Sequence, residues 1–265
     1  MEHLSALIVK LTGDDLPIFC KYYQWICKTL LKEEIHIRRN NGEYRLSTFK
    51  GANEEVYSVS KIMTPYMNGL LMTQLWWPNH TASISFLKDR FLPSMPGGYD
   101  HIEMGPGHGL LFSYPVAGSR SNHLEAWDLS QASLDATRLS LNNMGFEREV
   151  TLRYQDVYEI DETTPKFDGV IFSEVLEHLE EPAAALVKLK SILKRGGKLY
   201  IHIPINSPAP DYIFNLLSPE AVVDFIEKSG LKVTDSEFAP MMGQSLEECI
   251  KYQMTISCLL TCEAA

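Results

Sequence analysis

From Tyr99 to the end of the chain, short apolar runs alternate with helical patterns, and this alternation limits the fold more than any other feature. "HIEMG", "LEAWDLS", "VTLRYQDV", "FDGVIFSE" and "KLYIHIPIN" read as strands, and "LKVTDSEFAP" and "MTISCLLTC" as two late ones. Between them, "SQASLDATRLSLNNMG" reads as a helix closed by Gly145. Pro182 opens a helix that Gly196-Gly197 is expected to end. "SPEAVVDFIEKSG" has Ser218 as N-cap, Pro219 in its first turn and Gly230 past its end. Strand–helix alternation predicts an α/β, doubly wound, Rossmann-like sheet of seven strands with helices on both faces. The two late strands show no helical crossover between them, so the last strand is expected to run antiparallel.

"PSMPGGYD", Pro93 to Asp100, places two prolines and two glycines in eight residues and marks a boundary. Residues 98–265 then form the sheet domain. Residues 1–97 form a mostly helical lid and a candidate dimerisation segment. "PIFCKYYQWICKTLLKEE" is amphipathic, with Pro17 in its first turn and Phe19, Tyr22, Tyr23, Ile26 and Leu30 at helical spacing. "IHIRRNNGEYRLS" predicts a β-hairpin turning at Asn41-Gly42. A second helix is expected from Ser60 to Leu75.

In an open α/β sheet, ligands sit outside the carboxyl ends of the strands. "EMGPGHG" occupies that place behind the first strand. Glycines there let the backbone turn and approach a ligand. The spacing G-x-G-x-G differs from the G-x-G-x-x-G of dinucleotide binders. Glu103, two residues before the first glycine, is a poor neighbour for a pyrophosphate and a good one for an ammonium group.

"HIEMGPGHG", followed by "LEAWDLS", "YQDV" and "FDGVIFSEVLEHL", resembles the class I S-adenosylmethionine-dependent methyltransferases from about Gly98 to Cys262. The resemblance implies S-adenosyl-L-methionine as cofactor and S-adenosyl-L-homocysteine as product. It implies that Glu103, Gly105, Gly107 and Gly109 hold the methionine part and that Asp128 takes the ribose hydroxyls. Leu129 would pack on the adenine, Asp156 would accept from its amino group with Val157 beside it, and Ser173 and Glu174 would lie near the sulfonium. Read without the resemblance, a strand-end acid also serves as a helix cap. His108 reads as a solvent-facing spacer, and His101 and His202 as core histidines.

Methyl transfer from a sulfonium chiefly needs alignment and exclusion of water, and a base where the acceptor must lose a proton. Glu177 and His178 in "EVLEHLEEP" are the candidates. The stretch resembles the "EVLEH" of quinone-type methyltransferases. It departs from the small-molecule O-methyltransferases, whose catalytic histidine falls at Glu177. Asn206, Asp211 and Tyr212, in a proline-rich loop at the same edge, are candidate acceptor contacts. So are Tyr66, Trp76 and Trp77, in the segment expected to roof the site.

A formal net charge of −10 over 265 residues argues against a nucleic-acid partner. No apolar run reaches the roughly 18 residues of a membrane span, so no membrane partner is expected. Five cysteines without a C-x-x-C pair suggest reduced thiols and a cytoplasmic protein, and no metal site is expected. The expected function is methyl transfer to oxygen or nitrogen of a small-molecule acceptor, in specialised metabolism, by a chain that could form a homodimer. The alternatives are a protein methyltransferase and a non-methylating S-adenosylmethionine-binding protein.

Overall fold

The computed structural model describes residues 2–40 and 42–265. Five helices come first: α1 (Glu2–Thr12), α2 (Leu16–Arg39), α3 (Phe49–Ala52), α4 (Ser60–Trp76) and α5 (Pro78–Phe86). The sheet follows as β1 (Tyr99–Met104), β2 (Ser121–Asp128), β3 (Thr151–Tyr154), β4 (Phe167–Ser173), β5 (Leu193–Ile205), β6 (Leu231–Pro240) and β7 (Ile256–Ala264). Between and after the strands lie α6 (Ser113–Ala117), α7 (Gln131–Met144), α8 (Pro182–Ser191), α9 (Pro219–Lys228) and α10 (Leu246–Tyr252). The strand order is β3-β2-β1-β4-β5-β7-β6, and β7 alone runs antiparallel to its neighbours. This is the expected doubly wound sheet with its antiparallel last strand.

Two apolar layers cover the sheet. On one face Ile102, Trp127 and Phe172 pack against Leu186 and Leu189 of α8 and Val222 and Ile226 of α9. On the other, Ile171, Tyr200 and Leu259 share a core with Leu141 of α7, and also with Leu7 of α1, Met72 of α4 and Phe86 of α5. The first five helices are therefore no detached cap, because three of them bury apolar side chains on the sheet itself. α2 then crosses α4 so closely that a Cβ at Gly69 would stand 2.8 Å from the Tyr22 carbonyl oxygen. Ile26, Ala52, Val56 and Tyr66 form a third core there, beside the open edge of the sheet.

Several local readings need correction. The expected hairpin over Ile35–Ser47 is not formed: α2 runs on to Arg39, carrying Ile35 and Ile37 with it. The two-residue alternation is short, and it follows Lys32-Glu33-Glu34, all good helix formers. Arg38 also donates to Glu34 one turn earlier, at 2.9 Å. Asn41 of the expected turn lies outside the described residues. α8 stops at Ser191 rather than at Gly196-Gly197, and those glycines sit inside β5, where Gly196 has φ 76°. A short helix, α10, interrupts the β6–β7 connection. Its capping box of Ser245 and Glu248 is visible in "SLEE", the pattern that announces a helix start.

Candidate active site

The register of the central strands decides what meets at the sheet edge. Met104 at the end of β1 lies beside Trp127 of β2 and Phe172 of β4, and Ser173 lies beside His202 of β5. The residues just beyond these positions converge. They line one cavity of about 710 Å³ between the edge, the glycine loop and residues 49–74 of the helical segment.

The loop glycines divide the work. All three have positive φ, 71° at Gly105, 55° at Gly107 and 69° at Gly109, a region costly for residues with a Cβ. At Gly105 a Cβ would also stand 2.7 Å from Val175 Cγ2, and at Gly109 2.9 Å from Thr137 Cγ2. These two let the loop close on α7 and on the turn after β4. Gly107 faces the cavity, with only the tip of Met67 within 3.7 Å. Gly109 is not part of the lining.

Glu103 is 2% exposed, lines the cavity, and its Oε2 has no hydrogen-bond donor among the described residues. Burial pushes its carboxyl well above the usual carboxylate range. Asp128 is better served: Ser130 N–H donates to Oδ1 at 2.8 Å and Ser133 O–H to Oδ2 at 2.6 Å. Both bonds come from the start of α7 and fix the carboxylate at the cavity wall. Leu129 is half exposed on that wall, and Val157 lines it too. Asp156 is absent from the lining. Its Oδ1 accepts from Tyr158 N–H at 2.8 Å and caps a single helical turn, while Gln155 faces the cavity in its place.

After β4 the chain makes an unusual turn. Glu174 has φ 56°, in the left-handed region that non-glycine residues seldom adopt. Its Oε1 lies 2.9 Å from His202 Nε2, and Ser173 Oγ meets His202 Nδ1 at 3.2 Å. His202 is buried as expected, but it also lines the cavity. Burial works against ionisation of Glu174. His202, then His80 and His178, outweigh it and bring the carboxyl down to about 2. Behind Glu174, His80 contacts Thr73 Oγ1 at 2.8 Å, and burial brings its imidazole down to about 4.

His178 faces the cavity from the next turn. Its Nδ1 lies 2.9 Å from Tyr57 Oη, 3.4 Å from the Asp211 carbonyl and 3.6 Å from Asp211 Oδ2. Tyr66 O–H donates to Asp211 Oδ1 at 2.7 Å, and the Tyr212 ring packs edge-on against His178 at 5.1 Å. Glu177 is fully buried behind His178 and does not line the cavity. Neither of its oxygens has a well-formed hydrogen bond, and its carboxyl is pushed well up by burial and by the nearby Glu174.

Of the expected acceptor contacts, Tyr66, Asp211 and Tyr212 meet at the cavity and three do not. Asn206, with φ 52°, is bound inside its own loop: Asn215 Oδ1 accepts from its N–H at 2.9 Å. Trp76 is exposed at the end of α4, its ring 4.4 Å from that of Tyr23. Trp77 donates from Nε1 to Tyr23 Oη at 3.1 Å. A helix that must pass the cavity at Tyr66 and Leu70 turns Trp76 and Trp77 away from it by its end. His108 is also misread as a solvent-facing spacer. It lines the cavity, its Nε2 is shut off from solvent without a partner, and burial brings it down to about 4. Tyr57 and Phe49 carry no sequence signal, since only the fold brings them to His178. His202 does carry one, as a polar residue near the carboxyl end of a central strand.

Residues 102–201 match a family model described as a methyltransferase domain. The ubiquinone biosynthesis O-methyltransferase of Alkalilimnicola ehrlichii is 32% identical over 128 residues, 48% of this chain and 50% of that protein. The one from Dechloromonas aromatica is 28% identical over 128 residues, 48% of this chain and 53% of that protein. The chain thus spans about half the length of these curated relatives. Among solved structures, an S-adenosylmethionine-dependent methyltransferase from Clostridium acetobutylicum superposes with a TM-score of 0.54 at 12% identity, covering 70% of this chain and 92% of that one. The [4+2]-cyclase SpnF superposes with a TM-score of 0.54 at 16% identity, covering 69% and 79%. At such identities the likeness is one of fold. The matched segment runs from β1 through the glycine loop into β5, so this part of the chain is similar to a methyltransferase domain and the sheet around it has the fold of S-adenosylmethionine-dependent methyltransferases.

Proposed function

We propose that the protein transfers a methyl group from S-adenosylmethionine to oxygen or nitrogen of a small molecule enclosed between the sheet edge and the helical segment. The observation that carries this reading is the continuity of the cavity, which joins Glu103 and Asp128 at one end to His178 and Asp211 at the other. The cofactor fits the first end. Glu103 is a buried carboxyl whose Oε2 lacks a donor among the described residues, which an amino-acid ammonium supplies. Asp128 is anchored from below and keeps lone pairs for two ribose hydroxyls. Gly107 offers bare backbone between them. When bound, the cofactor supplies a methyl group already activated for in-line displacement. The chain therefore has to hold the acceptor in line, exclude water and take up a proton.

His178 is suited to the last task. With Nδ1–H directed to Tyr57 Oη, and Tyr57 O–H to Asp211, the imidazole presents its Nε2 lone pair. Nε2 carries no hydrogen bond among the described residues, and Glu177 Oε1 stands 3.9 Å away. Glu177, buried and held toward its neutral form, does not share this role. A cleft walled by Phe49, Tyr57, Tyr66 and Tyr212 favours a small acceptor over a residue of a folded protein. A place in specialised metabolism, expected from the sequence, rests on no residue of the site, and the curated relatives named above belong to ubiquinone biosynthesis.

Calorimetry with S-adenosylmethionine, its demethylated product and NAD tests the cofactor, and binding of NAD alone overturns the reading. Asp128→Ala should weaken cofactor binding by about 1.5–3 kcal/mol, the scale of hydrogen bonds to a charged group. An unchanged affinity removes Asp128 from the ribose. A mass gain of one methylene on some member of a metabolite library separates transfer from mere binding.

A further inference from the structure

The accounting that fits an ammonium at Glu103 applies at the other end of the cavity as well. We propose that the acceptor is an amine that enters as its ammonium form and seats against Glu174 and Asp211, inside an aromatic wall of Phe49, Tyr57, Tyr66 and Tyr212. This rests on the methyltransferase reading and adds the charge class of its substrate.

Charge balance is the first argument. Among the described residues lining the cavity there is no lysine or arginine. Arg45, on the strap that leads to Phe49, is turned away: it pairs with Glu55 and donates to the Pro210 carbonyl. A carboxylate or phosphate acceptor would be buried facing two acids with no lysine or arginine opposite it, an arrangement with a large desolvation penalty. An ammonium meets the opposite situation.

Unused hydrogen-bonding capacity is the second. Glu174 lines the cavity, and its Oε1 is closed to solvent and turned to His202 Nε2, 2.9 Å away, which leaves Oε2 for the cavity. The close His202 Nε2 also lies 2.8 Å from Ser257 Oγ, so its hydrogen has a competing partner. Glu174 Oε2 has only Tyr212 O–H, at 3.5 Å. Oε2, with one long bond, can accept a further one from the cavity side. The strained backbone at φ 56° holds it at the strand end, beside the expected path of the transferred methyl.

The tyrosines of the pocket separate amines from phenols as acceptors. Tyr57, Tyr66 and Tyr212 are phenols already in this pocket, and burial, followed by the charges of Asp211 or Glu174, drives all three above their ordinary range. A substrate phenol would feel the same burial and the same charges and would resist becoming a phenolate. The same charges hold an ammonium in place, and the ring faces add cation–π attraction. One N–H proton then passes from the ammonium to His178 Nε2, which leaves the nitrogen lone pair free, and the imidazolium returns that proton to solvent.

The test is calorimetry on the 265-residue protein saturated with S-adenosylhomocysteine. The probes are 2-phenylethylamine, 2-phenylethanol and phenylacetate, with tryptamine, tryptophol and indoleacetate as a larger set. The amines should bind about tenfold or more tightly than the matched alcohols, and the acids not at all. Glu174→Gln should remove about tenfold from amine binding and leave the alcohols within about twofold. Asp211→Asn serves the same purpose if Glu174→Gln fails to fold, as judged by its melting temperature. Equal binding, or equal absence of binding, across the three charge types overturns the inference. So does a Glu174→Gln effect that falls on S-adenosylhomocysteine instead of the amines. Binding of S-adenosylhomocysteine without amine preference leaves the methyltransferase reading standing, whereas its failure to bind overturns that reading first.

Discussion

The cofactor end of the cavity is made by neighbours in sequence, and the acceptor end by residues far apart. Glu103, Gly105 and Gly107 follow one another out of β1, and Asp128 takes its two anchors from Ser130 and Ser133. At the acceptor end, Tyr57 meets His178 across 121 positions and Tyr66 meets Asp211 across 145. The first end depends on local backbone conformation at the edge of a sheet. The second depends on where α2 and α4 dock, so it can change its lining without disturbing the sheet. Faults at the two ends should therefore act on different measurements.

The largest separation is expected from Gly105→Ala. The residue needs φ 71°, and the new Cβ would meet Val175 Cγ2 at 2.7 Å. Backbone strain of about 1–3 kcal/mol, with that clash added, should weaken cofactor binding by about 100-fold. Because Val175 sits between Glu174 and His178, a shift there could reach the acceptor end. A variant that loses acceptor binding while keeping the cofactor would break the comparison.

His178→Ala should do the reverse. Turnover falls by about 10²-fold, the low end of general-base contributions, and cofactor affinity stays within about twofold. Single-turnover rates measured beside calorimetry decide it. An unchanged rate would leave His178 only a packing role against Tyr212.

Glu103→Gln sharpens the cofactor end with a smaller and two-sided effect. Its folded-state carboxyl is raised by burial. Above the ordinary carboxyl range the unfolded chain has released this proton while the folded protein still holds it. The group therefore subtracts stability there, and does not below that range. Glutamine removes this burden. The ligand-free variant should melt higher than wild type near pH 7, with the gain fading below about pH 4.5. It should also bind S-adenosylmethionine about tenfold less tightly, because a charge-assisted bond is lost. A lower melting temperature at pH 7 would mean that Glu103 has a partner besides the cofactor.

What the sequence made legible follows the same division. Strand-end acids and loop glycines are readable because the chemistry lies within a few residues and the sheet edge is implied by strand–helix alternation. Asp156 shows the limit of this reading, because a strand-end acid can also cap the turn it precedes, and here it accepts from Tyr158 N–H. Ile35 and Ile37 read as a strand because two alternating positions do not show that a helix already under way will continue through them. Tyr57 and Phe49 gave no signal at all. Their place at the cavity comes from the crossing at Gly69 and the short helix that follows Thr48, whose side chain caps it by accepting from Gly51 N–H.

The smallest effect is expected at Trp76. Two adjacent tryptophans behind a tyrosine-bearing helix invite the reading of an aromatic roof, and Tyr66, ten positions earlier on α4, does line the cavity. But α4 leaves the cavity after Gln74, and Trp76 is 44% exposed, held by an edge contact with Tyr23. Such a contact contributes on the order of 0.5–1.5 kcal/mol beyond burial. Trp76→Ala should therefore lower the melting temperature slightly and leave acceptor and cofactor affinities within about twofold. If acceptor binding instead drops by tenfold while the melting temperature holds, Trp76 reaches the cavity once the acceptor is bound. The lining drawn from Phe49, Tyr57, Tyr66 and Tyr212 would then need one more side chain.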